Sequence, residues 1–375
     1  MKIISKYMLM GMVCLLPLSA FAQKVTQGQY QFPKNGGVYV GELSGGKPYG
    51  KGKTTFATGD TYEGEYVKGK RQGHGVYQFT DGERYEGDWY EDHQHGRGVY
   101  TFATGNRYDG LWFKDFQEGQ GTMFYHNGDK YVGMWVQDMR QGTGTYTWAN
   151  GAMYKGDWLA DKKEGKGLFD WNDGSTYYGD MKNDMRNGYG TYNYSNGDTY
   201  AGMWKDDLMN GKGIYTFANG DKYEGDYVNG LRQGQGIFTY VDKGKYVGGF
   251  KNGLMEGFGS YTWSDGSSYE GYWAEDMQNG RGKYTSKDGD VYDGEWAHGE
   301  MNGEGVLRMK NGVKFKGHFL DGKKHGKCVE EDADGTRFEG SYVEDLRDGA
   351  FTEKDRNGKV IRKGRYNRGV VELDR

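Results

Sequence analysis

Cysteine is nearly missing from this chain, with two in 375 residues. Cys14 falls in an apolar N-terminal stretch and the other is Cys328. A disulfide-stapled scaffold is therefore excluded, and a lone thiol in an exported chain has no internal mate. Cys328 reads as a small half-buried residue standing where other segments carry glycine. Long hydrophobic runs are also lacking: Met8 to Leu18 is about 11 residues, too short to cross a bilayer, and nothing later is apolar enough. Basic excess is absent too. The formal charge is −4, and taking away Lys2 and Lys6 brings it to −6, a poor match for nucleic-acid phosphates or anionic lipid surfaces. No nucleic-acid partner is expected, and membrane binding is disfavoured. Proline, at three, is scarce, whereas glycine reaches 68 and aromatics 16%. Disorder would lack the aromatics and collagen would need glycine every third residue, so a repeat fold is left.

The N-terminus has the layout of a secretory signal: Lys2 and Lys6, the apolar run, then Ala20-Phe21-Ala22 as a small-x-small cleavage site. Cys14 follows Gly11-Met12-Val13 rather than the small residues that would mark a lipid-anchored cysteine. Residues 1–22 are thus expected to be a signal peptide. The destination would be the periplasm, the outer surface or the extracellular space.

Internal periodicity decides the rest. From Tyr39, steps of 23 reach Tyr62, Tyr85, Tyr108, Tyr131, Tyr154, Tyr177, Tyr200, Tyr223, Tyr246, Tyr269 and Tyr292, then Phe315 and Phe338. Two residues after each of these 14 positions stands glycine, and four after stands an aromatic in all but Leu43 and Met181. Eleven residues on, from Gly50 to Gly349, glycine returns without exception. Segments such as Tyr85-Glu86-Gly87-Asp88-Trp89 alternate with period two, which marks strands. Asn-Gly and Asp-Gly between them, as at Asp81-Gly82 and Asn150-Gly151, are hairpin signals.

Parity selects the hairpin. A two-residue loop at Asp81-Gly82 would put Tyr77 and Phe79 opposite in face to Tyr85 and Trp89, whereas the three-residue loop Thr80-Asp81-Gly82 pairs Tyr77 with Tyr85 and gathers the aromatics. The expected turn is type I closed by Gly82 at positive φ. Arg84, Glu86, Asp88, Arg97 and Thr101 then point to the other face, which is expected to be polar. Paired glycines such as Gly96 and Gly98 leave flat backbone for neighbouring rings to lie on.

The unit Tyr-x-Gly-x-Trp, about six loop residues, Gly-x-Gly, Tyr-x-Phe and Asn-Gly resembles the MORN repeat (membrane occupation and recognition nexus), of an exported bacterial type. That resemblance implies an all-β fold, an elongated twisted antiparallel sheet, solenoid-like, of about 14 consecutive 23-residue hairpins, in which each repeat contacts its neighbours and the ends are capped. The expected organisation is a lead-in over 23–38, the repeat array over 39–360 and a degenerate cap over 361–375. Glu330 and Asp332, standing where Tyr100 and Phe102 stand earlier, already make the last units look like a polar cap. Some MORN arrays are fused to lipid kinase or methyltransferase domains, and no such domain is found here.

No catalytic set, cofactor or metal site stands out, and the chain is expected not to be an enzyme. His93-Gln94-His95 could share a metal but sits in one inter-strand loop without a third ligand. Asp288, Asp290 and Asp293 could hold calcium, although a hairpin turn explains them as well. The Gly-x-Gly pairs precede strands, so they are not dinucleotide loops.

Two surfaces are candidates for recognition. One is the aromatic face: Tyr85, Trp89, Tyr108, Trp112, Tyr131, Trp135, Tyr154, Trp158, Tyr200, Trp204, Tyr269, Trp273, Tyr292 and Trp296. The other is a ridge of loop residues eight positions after the repeat tyrosine: Phe116, Met139, Met185, Leu208, Leu231, Leu254 and Met277. Neighbouring rings and twist could instead bury most of the aromatic face, and the ridge could instead pack onto the next repeat. The expected function is a non-catalytic scaffold for a protein partner, or for a second copy in a homo-oligomer. The alternative is an aromatic platform for a cell-envelope glycan such as peptidoglycan, with lipid head groups behind it.

Overall fold

The structure, a computed structural model, describes residues 24–34 and 36–373. The expected signal peptide lies outside the described residues. Those residues form 32 strands and no helix, pairing antiparallel with sequence neighbours as the 23-residue pattern demands, apart from Arg337–Val343, which also pairs with Gly349–Lys354 past the two-residue strand Leu346–Arg347. Contacts divide the chain into two units, residues 1–128 with 134–138, and 129–133 with 139–375. Each unit is a meander of hairpins built to the same rule. The lead-in contributes a strand, Val25–Gln31, paired with Val38–Ser44 in the first unit.

The turn between repeats is the one parity selects. Tyr77 pairs with Tyr85 and Gln78 with Arg84. The Phe79 N–H donates to the Glu83 carbonyl at 3.0 Å and the Gly82 N–H to the Phe79 carbonyl at 3.3 Å. Gly82 has φ +96°, a conformation with which side chains conflict. Two turns differ: Tyr240 pairs with Gly244 across Val241-Asp242-Lys243, where the positive φ moves to Gly244, at +125°, and between Trp171 and Ser175 Asn172 joins Gly174 at positive φ, +60° and +92°.

The turn within each repeat corrects the sequence expectation. In place of about six loop residues there are two. Tyr90 pairs directly with His93, and Glu91 and Asp92 take φ of +49° and +75°, the pattern of a type I′ turn, whose twist matches the strands. The remaining residues belong to the strand His93–Thr101, which bulges: Gly87 faces Gly98 but Trp89 faces Gln94, so Asp88 alone is set against His95, Gly96 and Arg97. Gly96 bends at φ +61°, and the Arg97 N–H freed there donates to the Asp88 carboxylate at 3.1 Å. The bulge recurs with the same cap: the Lys166 N–H donates to Asp157 at 3.0 Å and the Tyr189 N–H to Asp180 at 2.9 Å.

The repeat tyrosine fills the space the glycines leave. A Cβ on Gly87 would fall 2.7 Å from the Tyr85 hydroxyl, and one on Gly98 would fall 2.5 Å from its ring. Toward the C-terminus the ring core gives way to ions, as the polar substitution there suggests. Buried Glu330 accepts from Lys324 at 2.9 Å and Arg347 at 2.7 Å, and Glu353 from Arg362 at 2.7 Å. Two further strands follow, Val360–Asn367 and Val370–Leu373, with Val370 and Leu373 exposed.

Candidate functional site

The candidate aromatic face is the core. All 14 of its rings, from Tyr85 and Trp89 to Tyr292 and Trp296, are buried, the tyrosines at 0–1% exposure and the tryptophans at 3–9%. Their polar atoms are turned inward. The Tyr85 hydroxyl donates to the Asp88 carbonyl at 2.9 Å, Tyr200 to Met203 at 2.9 Å and Tyr269 to Tyr272 at 2.9 Å, each reaching a carbonyl of the bulged segment. Trp89 donates its indole N–H to the Gly75 carbonyl at 3.2 Å, and Trp204 to Gly190 at 3.2 Å. Rings interlock edge to face within and between repeats: Tyr85 lies 5.2 Å from Trp89 and 5.4 Å from Trp112, near perpendicular to both. Burial pushes the tyrosine hydroxyls up, that of Tyr269 to about 12. A sugar ring therefore cannot stack on these side chains. The reason is that bulge and twist fold each ring onto its own glycines, closing a face that a flat single-layer sheet would leave open.

The ridge residues are where a partner could reach them. Phe116, Met139, Leu208, Leu231, Leu254 and Met277 are all exposed, between 39% and 50%, and Met185 is half-buried. They are not loop residues, as expected, but the first residues of strands, each facing the last residue before the I′ turn: Phe113 faces Phe116, Val228 faces Leu231 and Lys251 faces Leu254. Two of those partners, Phe113 and Val228, are apolar and exposed as well. The turn edge of each unit thus carries an apolar margin along the face opposite the rings.

Two further columns escaped the sequence reading. The second turn residue is either aspartate or glycine, and where it is aspartate its carboxylate accepts the backbone N–H 21 residues earlier: Asp92 from Arg71 at 2.9 Å, Asp161 from Arg140 at 3.0 Å, Asp207 from Arg186 at 2.9 Å. The same arginines lie over the next repeat's tryptophan, 4.1 Å from Trp89, 4.3 Å from Trp158 and 4.2 Å from Trp204. Stepping by 23 from Arg71 or Asp92 would have found both columns. At the opposite edge Asp198 takes the Tyr215 hydroxyl at 2.7 Å and the Ala218 N–H at 2.8 Å, and those bonds hold its carboxyl below the usual range.

Among the described residues no group of three metal-ligating side chains converges. His93 meets Asp115 at 2.5 Å, and His95 lies between Tyr90 and Phe113, at 5.5 and 5.2 Å. Asp290 accepts from the Lys310 N–H at 2.8 Å, as Asp198 does from Ala218. Cys328 is buried, its thiol pushed up to about 11 by burial.

The face opposite the rings is less polar than expected. Tyr178, Tyr189, Phe258 and Tyr272 stand there, each more than half exposed, beside a shallow depression of about 530 Å³ lined by Ala201, Ile214, Ile237 and Val247. Alternation predicts which face these residues take, but not that it would hold so many apolar side chains.

A family model described as MORN repeat matches thirteen consecutive segments, from 39–61 and 62–84 through 292–314 and 315–337. No curated protein matches the sequence. Among solved structures, the TCP10 domain of Danio rerio CPAP in complex with a peptide of Danio rerio STIL is 14% identical, with a TM-score of 0.32, covering 60% of this chain and 96% of that one. The SAS-4 (dCPAP) TCP domain of Drosophila melanogaster with a proline-rich motif of Ana2 is 17% identical, with a TM-score of 0.27 and coverage of 42% and 85%. A catalytically inactive virginiamycin B lyase from Staphylococcus aureus with quinupristin is 10% identical, with a TM-score of 0.13 and coverage of 82% and 96%. Likeness this distant says nothing about what any of these chains binds.

Proposed function

This chain belongs to the MORN-repeat family, and we propose that it is an exported, non-catalytic scaffold that holds a protein partner along the turn edge of its hairpins. The observation carrying this reading is the apolar margin: Phe116, Leu208, Leu231 and Leu254 sit at 40–50% exposure at one repeat position. Exposed apolar side chains repeated in register are a common mark of an interaction surface. The repeat supplies the rest of the mechanism. Ring stacking, the buried hydroxyl bonds and the aspartate ladder set the geometry of each hairpin, so contacts at one turn recur at fixed spacing at the next. Such an edge suits an extended or repetitive partner, which gains affinity by engaging several turns together.

Export rests on the N-terminal residues, and a non-catalytic role on the repeat sequence, which nominates no Ser-His-Asp or Cys-His set. Envelope and cytosolic fractions from cells making the full chain test the first, with the chain expected in the envelope or medium without residues 1–22. Affinity capture from the same fractions tests the scaffold. Wild-type protein should retain a specific protein that the triple variant Leu231→Ser, Leu254→Ser, Met277→Ser releases. Equal retention by both would place recognition elsewhere.

A further inference from the structure

The open face of the second unit carries exposed aromatic side chains in two places. Tyr178, Tyr189 and Met203 form one platform and Phe258 with Tyr272 the other, all between 41% and 61% exposed. Tyr189 and Met203 are cross-strand partners, as are Phe258 and Tyr272, the latter rings meeting edge to face at 5.7 Å. The depression of about 530 Å³ lies between the platforms. Tyr189 lines one end of it and Val247 the other, over a floor of Ala201, Ile214 and Ile237. On the strand that carries Val247, Gly249 has no side chain to wall the depression off from Phe258 on the next strand. From Met185–Asn193 to Leu254–Trp263 the strands follow one another in order, so Tyr189 and Phe258 stand six strand spacings apart, about 29 Å where the sheet is flat.

Charge and spacing narrow what could lie there. Lys212, the cation in the lining of the depression, is ion-paired with Asp226 at 2.8 Å, and Glu224, also in the lining, with Lys222 at 3.2 Å. An anionic polymer gains no counter-charge from such closed pairs. An extended peptide laid across the strands advances about 3.3 Å per residue against about 4.8 Å per strand, so its side chains fall out of step with the sheet. The backbone groups of these inner strands are also already paired with their neighbours and offer a peptide no ladder to join. A pyranose residue in an extended β-linked chain advances by nearly one strand spacing. Its ring carbons present a flat apolar surface to an aromatic side chain, while its equatorial hydroxyls point outward to polar neighbours.

We propose that this face binds a linear, uncharged β-linked glycan laid across the strands. Its sugar rings stack on Tyr189 at one end and on Phe258 or Tyr272 at the other, and its hydroxyls meet Gln235 and Glu224 in between. The stacking surface that the buried rings cannot supply thus lies on the opposite side of the same sheet. The proposal does not depend on the partner assigned to the turn edge. Either platform alone holds a sugar weakly. A chain long enough to reach both makes the second contact intramolecularly, so length is the signature of this site.

Calorimetric titration of the chain lacking residues 1–22 tests the proposal. The probes are hexasaccharides and trisaccharides of β-1,4-linked glucose and of β-1,4-linked N-acetylglucosamine, which tell a plain from an acetamido sugar. One of the hexasaccharides should bind, and its trisaccharide on the order of tenfold or more weaker. Tyr189→Ala and Phe258→Ala should each lower hexasaccharide affinity on the order of tenfold. Both side chains are exposed, so the circular dichroism spectrum should stay unchanged. Binding of neither hexasaccharide would overturn the proposal, and binding of polygalacturonate in their place would give the face to an anionic polymer. Binding that ignores both substitutions, or a trisaccharide as tight as its hexasaccharide, would overturn it equally. None of these titrations involves the turn-edge partner, so the two readings fail separately.

Discussion

Tyr85 lies against Gly98 so closely that a Cβ on the glycine would stand 2.5 Å from the ring, while its hydroxyl donates to the Asp88 carbonyl at 2.9 Å. One side chain thereby fills the glycine gap and ties down the bulge. The recurrent Tyr-x-Gly-x-Trp spacing is therefore a packing rule, and function has to be looked for on other residues.

Glycines of the two kinds should respond differently to alanine. Gly98→Ala has no room and must push the Tyr85 ring aside, an overpacking cost of about 2–3 kcal/mol or more. Gly82→Ala meets nothing within 4 Å but sits at φ +96°, so only strain of roughly 1 kcal/mol applies. Urea melts of the two variants should fall in that order. Equal losses would mean the glycine pair is not a ring seat.

The aspartate ladder predicts a rescue. Asp161→Ala removes acceptors for the Arg140 backbone and side chain, at 3.0 and 2.9 Å, and takes away a residue suited to the left-handed turn. The expected loss is about 1–2 kcal/mol. Asp161→Asn keeps an acceptor oxygen and the turn preference and should recover most of it, as read from denaturation midpoints. No difference between the two variants would show that the ladder is ornamental.

Alkaline unfolding should be steep. Tyrosine hydroxyls raised by burial, with Tyr223 and Tyr269 at about 12, stay protonated in the fold while the unfolded chain ionises near 10. Stability is complete below pH 10 and is lost as pH climbs from 10 toward 12 and beyond. Tyrosinate absorbance followed with circular dichroism should show the buried set ionising together with loss of structure. Smooth titration of all tyrosines near 10 with the fold intact would contradict their burial.

At the acid end the ion cluster should weaken first. Burial raises the Glu330 carboxyl, but hydrogen bonds from Lys324 and Arg347 outweigh it and leave the carboxyl lowered. Its contribution is thus present above the ordinary glutamate range and lost as pH falls through and below it. Hydrogen exchange in the strands around Arg337–Val343 should accelerate before exchange near Tyr200 does. Uniform acceleration would place the weak point elsewhere.

Much of this fold is legible from the chain because period and parity are exact constraints. Shifting the turn at Asp81-Gly82 by one residue would have sent Tyr77 to the wrong face, and the structure has it opposite Tyr85. The turn within the repeat was missed because copies such as Glu91-Asp92 carry no glycine, although Asn229-Gly230 and Asn252-Gly253 do, and because a bulge at Gly96 makes strand residues look like loop. The buried state of Trp89 was left open for a related reason: alternation gives the face a side chain takes, whereas exposure depends on how far bulge and twist close that face. The ridge at Phe116 and Leu231 was legible as a column, but not as strand ends. Apolar Tyr189 and Phe258 were passed over because they interrupt a column whose other members, such as Arg97, Gln120, Lys166 and Gln235, are mostly charged or polar.

Site-specific photo-crosslinking in cells most directly tests the claim that recognition lies on the turn edge and not on the rings. A crosslinker at Leu231 or Leu254 should capture the same protein from both positions, and one at Lys245, exposed on the same face away from that edge, should not capture it. Capture of that protein from Lys245 but from neither ridge position would contradict the account.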